Sequence, residues 1–271
     1  MEKTASGVYD RIDNDYYNAA GDGWWQPGSP LYLIQSSVNP ARIGYFIRKL
    51  ITGRHMIPQG KSVLEVGCGG GFLCEEMARL GFDVTGIDPS GRSIQAAAGH
   101  AKTSGLDIRY EKGIGEAIPY PDHSFDVVFC CDVLEHVRDV PKVISQISRV
   151  LKPGGYFCYD TFNRTLLSKW VAINISQNWK RWAFAPPGLH VWEMFLKPEE
   201  LQKILASNNL AFCEHVGLMP NASFPTLLKT LRKRVRGLIS YQELGQKLFL
   251  QESRHTCLMY MGYAVKPYVK G

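Results

Sequence analysis

Lys61-Ser62-Val63-Leu64-Glu65-Val66-Gly67-Cys68-Gly69-Gly70-Gly71 is the stretch on which the rest of the chain depends. Ser62 to Val66 is a short apolar run with β-branched residues. Gly67, Gly69, Gly70 and Gly71 follow at once, and Phe72-Leu73-Cys74-Glu75-Glu76-Met77-Ala78 then has a helical pattern. The order is strand, tight turn, helix. Glycine lets the backbone turn sharply and admits a ligand where a Cβ would block it. The first turn of the helix behind it has N–H groups without intrahelical partners. Such a turn suits a nucleotide-like molecule.

Downstream, Phe82-Asp83-Val84-Thr85-Gly86-Ile87-Asp88 reads as a second strand that ends in an acid. Counted from Gly67, Asp88 falls where a carboxylate at a strand end accepts hydrogen bonds from ribose hydroxyls, although such an acid can also cap the next helix. A helix over Ser93 to Ser104 leads to a third strand, Ile108 to Lys112, and to the turn Gly113-Ile114-Gly115-Glu116. There an adenine ring could be held by apolar contact and backbone hydrogen bonds. Phe125 to Cys131 is a fourth, buried-looking strand that finishes at Asp132-Val133-Leu134-Glu135-His136-Val137. A helix over Val140 to Leu151 runs into Lys152-Pro153-Gly154-Gly155 and a fifth strand, Tyr156 to Thr161. This alternation predicts an α/β fold, a parallel sheet with helices on both faces.

At 271 residues and 45% hydrophobic content, the chain can bury the core of one α/β domain with additions. The net charge of +6 is mild and requires no nucleic-acid partner. The seven cysteines are odd in number, lie mostly in strand-like apolar runs and form no Cys-x-x-Cys pair. That favours reduced, packed thiols in a cytoplasmic protein over disulfides or a zinc site. Residues 1–17 are polar and acidic, and no stretch reaches the ~18 apolar residues of a membrane span, so a soluble or peripherally membrane-associated protein is expected. Residues 1–38, rich in Gly, Asp, Asn and aromatics including Trp24-Trp25, read as a cap or lid before a domain spanning 39–271. Asn39 to Leu50 reads as a helix with Asn39 as N-cap, Pro40 at its first position, and Ile43, Phe46, Ile47 and Leu50 on one face. Arg42, in its first turn, is either a solvated charge or a cation that reaches a ligand carboxylate.

A dinucleotide site wants a small third residue in G-x-G-x-x-G/A, and here that position is Phe72; no lysine follows, as it would in a phosphate-binding loop. The run Gly67-x-Gly69-x-Gly71, with Glu65 upstream and Asp88, Gly113–Glu116 and Lys152–Gly155 downstream, resembles the motif series of class I S-adenosylmethionine-dependent methyltransferases. Asn39-Pro40-Ala41-Arg42-Ile43-Gly44-Tyr45, Val66 to Gly71, Leu134-Glu135-His136-Val137, Asn163-Arg164 and Pro187 to Leu201 narrow the resemblance to the ubiquinone-biosynthesis O-methyltransferases, over roughly residues 24–217. That resemblance implies a Rossmann-like, mainly parallel seven-stranded sheet whose last strand is antiparallel. Carried over by position, it puts Arg42 at the methionine carboxylate, Gly67 at the cofactor's backbone, Asp88 at the ribose and Cys131 at the cofactor's flank. Cys68, Gly69, Pro89, Ile114, Gly115 and Glu116 complete the expected cofactor set. In the family's eukaryotic branch a Glu-x-x-Glu-His motif holds a divalent metal, and Asp132, Glu135 and His136 match it with Asp for the first Glu. Oxygen ligands with one imidazole would favour Mg²⁺ or Mn²⁺ over Zn²⁺, and a plain hydrogen-bonded cluster is the alternative.

The electrophilic methyl of S-adenosylmethionine leaves the protein mainly to align a nucleophile and exclude water. A phenol, with a pKa near ~10, gains from a base. His136 is the expected base and His190 the second candidate, with an orienting or packing role as the alternative for each. Two insertions are expected, over about 163–198 and 218–255. Between Asn163 and Pro187, Leu166, Leu167, Trp170, Ile173, Trp179, Trp182 and Phe184 mix with Arg164, Lys169, Lys180 and Arg181. This suits a membrane interface, a lid over an apolar substrate, or an amphipathic helix packed on the sheet. Phe224 to Tyr241 reads as a basic amphipathic helix with Lys229, Arg232, Lys233, Arg234 and Arg236 lining the face its leucines leave, suited to an anionic membrane, to covering a negatively charged or long apolar substrate, or to a solvated helix. A helix over Glu199 to Ser207 and strands over Ala211 to Val216 and Thr256 to Val265 complete the pattern. The expected activity is methyl transfer to a hydroxyl, phenolic in kind, on an apolar isoprenoid or aromatic small molecule. C-methylation and a non-catalytic S-adenosylmethionine-binding module are the alternatives.

Overall fold

In the computed structural model, which describes residues 6–181, 183 and 185–268, the run Ser62–Val66 forms β1 at the point where the sheet changes direction. β2 (Asp83–Asp88) and β3 (Ile108–Lys112) lie to one side of it, and β4 (Phe125–Cys131) and β5 (Leu151–Phe162) to the other, all parallel. β6 (Ala211–Pro220), β7 (Leu250–Ser253) and β8 (Met259–Val265) complete the order β3-β2-β1-β4-β5-β8-β6-β7, with β8 antiparallel to both β5 and β6. The chain reverses its direction of travel between β1 and β4. Beyond the carboxyl ends of those strands lies the crevice where open α/β sheets bind ligands.

Among the described residues the sheet has eight strands rather than the expected seven. The additional one is β7, from the second insertion, which pairs antiparallel with the far end of β6. Its residues Gln251, Glu252 and Ser253 are polar, and the pairing of Pro220 with Leu250 fixes it, so no local apolar alternation announces it. β6 accordingly runs on to Pro220, beyond the Val216 at which it was expected to end.

The described helices are α1 (Ser6–Tyr9), α2 (Asp15–Ala19), α3 (Asn39–Phe46), α4 (Phe72–Arg79), α5 (Gly91–Thr103), α6 (Val140–Val150), α7 (Leu166–Ser168), α8 (Pro198–Ser207), α9 (Phe224–Val235) and α10 (Tyr241–Lys247). α7 continues as a wide helix with i→i+5 bonding over Lys169–Asn178. Trp182 and Phe184 of this insertion lie outside the described residues. Asn39 does not cap α3 as expected. A wide turn over Ile34–Val38 precedes it, so helical backbone passes straight through Asn39 (φ −56°, ψ −38°). The i→i+5 spacing carries the chain past the missing N–H of Pro40 without ending the helix. The buried Asn39 side chain serves Arg42 instead, as described below.

The sheet is packed on both faces. Val143, Ile144 and Ile147 of α6 and Leu201 and Leu205 of α8 cover one face over Val66, Val128 and Phe157. Tyr45, Phe46, Leu73 and Met77 cover the other over Val63, Phe129 and Met261. A third, smaller cluster joins Trp24 and Leu31 of the N-terminal segment to Phe72 at the head of α4. All seven cysteines are free thiols, five of them buried, as a packed reduced set requires. Among the described residues no helix is long and apolar enough to cross a membrane.

Candidate active site

A cavity of about 440 Å³ opens at the carboxyl ends of β1, β2 and β4, within the usual size of a small-molecule site. Arg42, Gly67, Cys68, Gly69, Asp88 and Pro89 line it, as do Ile114, Gly115, Glu116 and Cys131, so the whole set expected to meet the cofactor shares one wall system. Gly67 and Gly69 have φ of +72° and +51°, in the left-handed region that favours glycine. A Cβ on Gly67 would run into Val133, and one on Gly69 would stand 2.6 Å from Trp24 Cζ2. Asp88 is 8% exposed; its Oδ2 accepts from Gly69 N at 2.9 Å and its Oδ1 from Ser90 N at 2.8 Å. Each carboxylate oxygen keeps a further lone pair for a hydroxyl donor such as a ribose. Burial raises the pKa of Asp88, and the two backbone hydrogen bonds work against that. A narrow backbone cradle without Cβ atoms, beside a partly satisfied strand-end carboxylate, fits an adenosine-bearing cofactor.

Arg42 is buried, which rules out a solvated surface charge. Its Nε donates to Asp160 Oδ2 at 2.5 Å, its Nη2 to Asp160 Oδ1 at 3.0 Å and also to Asp132, and its Nη1 to Asn39 Oδ1 at 2.8 Å. Burial opposes the charge on Arg42, but Asp132 and Asp160 outweigh it and hold the group firmly protonated. Set against five N–H groups, these bonds leave one, on Nη1, to meet a ligand among the described residues. Asp160 also accepts from the backbone N of Asp132 at 3.0 Å, where the chain leaves β4 with a left-handed φ of +54°.

His136 sits on the same cavity, 8% exposed. Burial, with the neighbouring His190, pushes its pKa well below the usual histidine range, so the ring is neutral and keeps one nitrogen lone pair to accept a hydrogen bond. Its Nε2 lies 3.3 Å from Tyr17 Oη and its Nδ1 3.3 Å from Asn14 Oδ1, both on the N-terminal segment. Burial also lifts the Tyr17 phenol well above its usual pKa, ahead of the nearby Asp132 and Glu135 charges, so it remains an O–H donor. Neither Glu135 nor His190 lines the cavity. Glu135 is fully buried; its Oε2 accepts from Thr161 Oγ1 at 2.7 Å, its Oε1 has no partner among the described residues, and burial pushes its pKa up to about 8. His190 packs against Phe162, its Nδ1 is also buried without a partner among the described residues, and burial lowers its pKa to about 4. Ligand atoms of Glu135, His136 and His190 lie within 4.8 Å of one another. Asp132, expected in that group, turns to Arg42 instead, and His190 stands in its place.

Asn14, Tyr17, Trp24 and Asp160 were not singled out by the sequence as parts of this site. Asp160 carried a usable signal, since it is the acid near the carboxyl end of a parallel strand, where such folds place functional groups. The other three belong to the aromatic N-terminal segment, which was legible as a cover but without a register. Trp24 Nε1 donates to Ser93 Oγ at 2.9 Å and Trp25 Nε1 to Gly70 O at 2.8 Å, which seats that segment across the glycine turn.

The switch-point crevice, the glycine cradle and the strand-end acid define a class I, S-adenosylmethionine-dependent methyltransferase. The profile of a methyltransferase domain matches residues 64–159. The ubiquinone biosynthesis O-methyltransferase of Brucella anthropi is 36% identical over 227 residues, which span 82% of this chain and 90% of that protein. Its counterpart in Rhizobium etli is 34% identical over the same shares. The chain belongs to the ubiquinone biosynthesis O-methyltransferase family. Among solved structures, the YcgJ protein from Bacillus subtilis is similar with a TM-score of 0.58 at 19% identity, over 84% of this chain and 100% of that one. A methyltransferase from Aquifex aeolicus, SAM-dependent by its description, matches with a TM-score of 0.52 at 15% identity, over 98% of this chain and 100% of that one. At such identities these two show the fold alone.

Proposed function

We propose that this enzyme methylates a phenolic hydroxyl on an apolar acceptor, isoprenoid or aromatic in kind, with His136 as the base. The observation that carries this reading is the His136 imidazole on the wall of the cavity that Asp88 and Arg42 also line. S-adenosylmethionine, when bound, supplies an electrophilic methyl group. Arg42 and Asp88 hold opposite ends of that cofactor, while Tyr9, Val133 and Val137 give the same cavity apolar wall for the acceptor. His136 takes the phenol's proton, and general-base help of this kind is worth roughly 10²–10⁴ in rate. The names of the relatives, which place them in ubiquinone biosynthesis as O-methyltransferases, favour the same acceptor class. Leu166, Leu167, Trp170 and Trp179 are exposed in the insertion after β5, and with the basic face of α9 they support contact with a membrane that holds such acceptors.

A second reading is favoured by one observation: Glu135 Oε1 and His190 Nδ1 are among the buried side-chain atoms that find no hydrogen-bond partner among the described residues. With His136 they fit a divalent cation, and two imidazoles with one carboxylate suit Zn²⁺ or Mn²⁺ better than Mg²⁺. Such an ion would act as a Lewis acid toward the acceptor oxygen in place of a base.

Both readings are tested by one experiment, incubation with ¹³C-methyl S-adenosylmethionine and a panel of isoprenoid phenols, simple phenols and terpenoids, with and without a chelator. The expected result is a new methoxy carbon on a phenol and unchanged turnover after chelation. Label on carbon, or no transfer by protein that binds the cofactor, overturns O-methylation. Loss of turnover on chelation, restored by Zn²⁺ or Mn²⁺, replaces the base with the metal.

A further inference from the structure

The N-terminal segment does more than cover the cavity, because it reaches both nitrogens of the His136 ring. Asn14 Nδ2 donates to the backbone O of His136 at 3.0 Å and lies 3.2 Å from Tyr9 Oη. The orientation of the amide follows from those contacts, since only its nitrogen can donate to a carbonyl. Its oxygen must then be the atom that faces His136 Nδ1 at 3.3 Å. An amide oxygen only accepts, so Nδ1 carries the proton. In a neutral ring Nε2 therefore keeps its lone pair, and the atom facing it is Tyr17 Oη at 3.3 Å, a hydroxyl able to donate. The Tyr17 ring stands edge-on to the imidazole, with centroids 5.5 Å apart and planes at 86°, and stacks on Trp24, which is itself tied to Ser93. The segment thus grips the imidazole from Nδ1 and from its backbone at once, while the Nε2 side faces a group that an incoming hydroxyl can replace.

We infer that Asn14 is a positioning residue, which holds His136 in the tautomer protonated on Nδ1 so that Nε2 is presented to the acceptor's hydroxyl. This rests on the reading of His136 as the base. It also assigns Tyr17 Oη as the stand-in that the acceptor's oxygen displaces. Free histidine prefers its proton on Nε2, the arrangement that would turn an N–H toward the acceptor and leave nothing to take its proton. Second partners of a catalytic or metal-bound imidazole set its tautomer in this way.

The test is long-range ¹H–¹⁵N spectroscopy of His136, assigned by its loss in His136→Gln, combined with steady-state kinetics and cofactor titration. In the wild-type protein the proton is expected on Nδ1, and a spectrum with the proton on Nε2 overturns the inference without any further variant. Asn14→Ala is expected to move the proton to Nε2 and to lower kcat at least tenfold with S-adenosylmethionine affinity unchanged. Asn14→Asp, which keeps the acceptor oxygen, is expected to restore the Nδ1 proton and most of kcat, and Tyr17→Phe to leave the tautomer as it is. An unchanged tautomer in Asn14→Ala overturns the role of Asn14. A changed tautomer with normal kcat instead overturns the reading of His136 as the base, and the two failures are therefore told apart.

Discussion

Glu65, the penultimate residue of β1, reaches to the start of α4, where its Oε2 accepts a hydrogen bond from Cys74 N at 2.9 Å. It is 5% exposed, and burial pushes its pKa up to about 7, against the pull of the Cys74 thiol, of Arg42 and of the Cys74 N–H. The folded chain therefore binds this proton more tightly than the unfolded chain does. Its contribution is fully present below the ordinary carboxyl pKa of 4.5 and is lost as the pH rises to about 7. Glu65→Gln removes that loss. In urea denaturation of the cofactor-free protein, its stability relative to wild type is expected to grow between pH 4.5 and 7 by up to about 3 kcal/mol. Parallel pH profiles for the two proteins would show that Glu65 is charged in the fold. At this scale the sequence was partly legible. The charge of Arg42 and the acid of Asp88 stood out, but the Asp160 that grips Arg42 lies 118 residues away, and no local pattern connects them.

At the scale of elements, β1, the glycine turn, α4 and β2 were legible because apolar periodicity and glycine punctuation act locally. The structure returns them within a residue or two. The end of β6 and the existence of β7 were not legible, since pairing between distant segments decides both. The N-terminal segment is an intermediate case. Its aromatics marked it as a cover, yet only the fold puts Trp24 against Gly69 and Gly70 and Tyr17 against His136. Trp24 is 5% exposed and packs edge-on to Phe72 with centroids 5.6 Å apart, so it links the cap to the head of α4. Trp24→Ala is expected to cost about 3 kcal/mol of stability, as large-to-small core changes do, and to weaken S-adenosylmethionine binding about tenfold as the glycine turn loses its cover. Thermal unfolding and calorimetry read the two effects separately. A loss of stability with full cofactor affinity would make the segment a structural cap alone.

Across the whole molecule, the reversal of strand order between β1 and β4 decides where everything else meets. It opens one crevice into which β1 sends Gly67, β2 sends Asp88, β4 leads to Asp132 and His136, and the N-terminal segment adds Asn14 and Tyr17. The cofactor end of that crevice was legible because it is built from turns and strand ends close in sequence. The proposed acceptor end was legible only through His136 and His190, of which His136 alone lines the cavity, because its walls come from segments far apart in the chain. The central claim is that a neutral His136 accepts the acceptor's proton in the same cavity that holds the cofactor. Single-turnover methyl transfer by His136→Gln, in the presence of chelator and at saturating ¹³C-methyl S-adenosylmethionine, tests it most directly. The expected result is transfer to oxygen slowed on the order of 100-fold or more, with cofactor affinity equal to wild type. Transfer at the wild-type rate would contradict it.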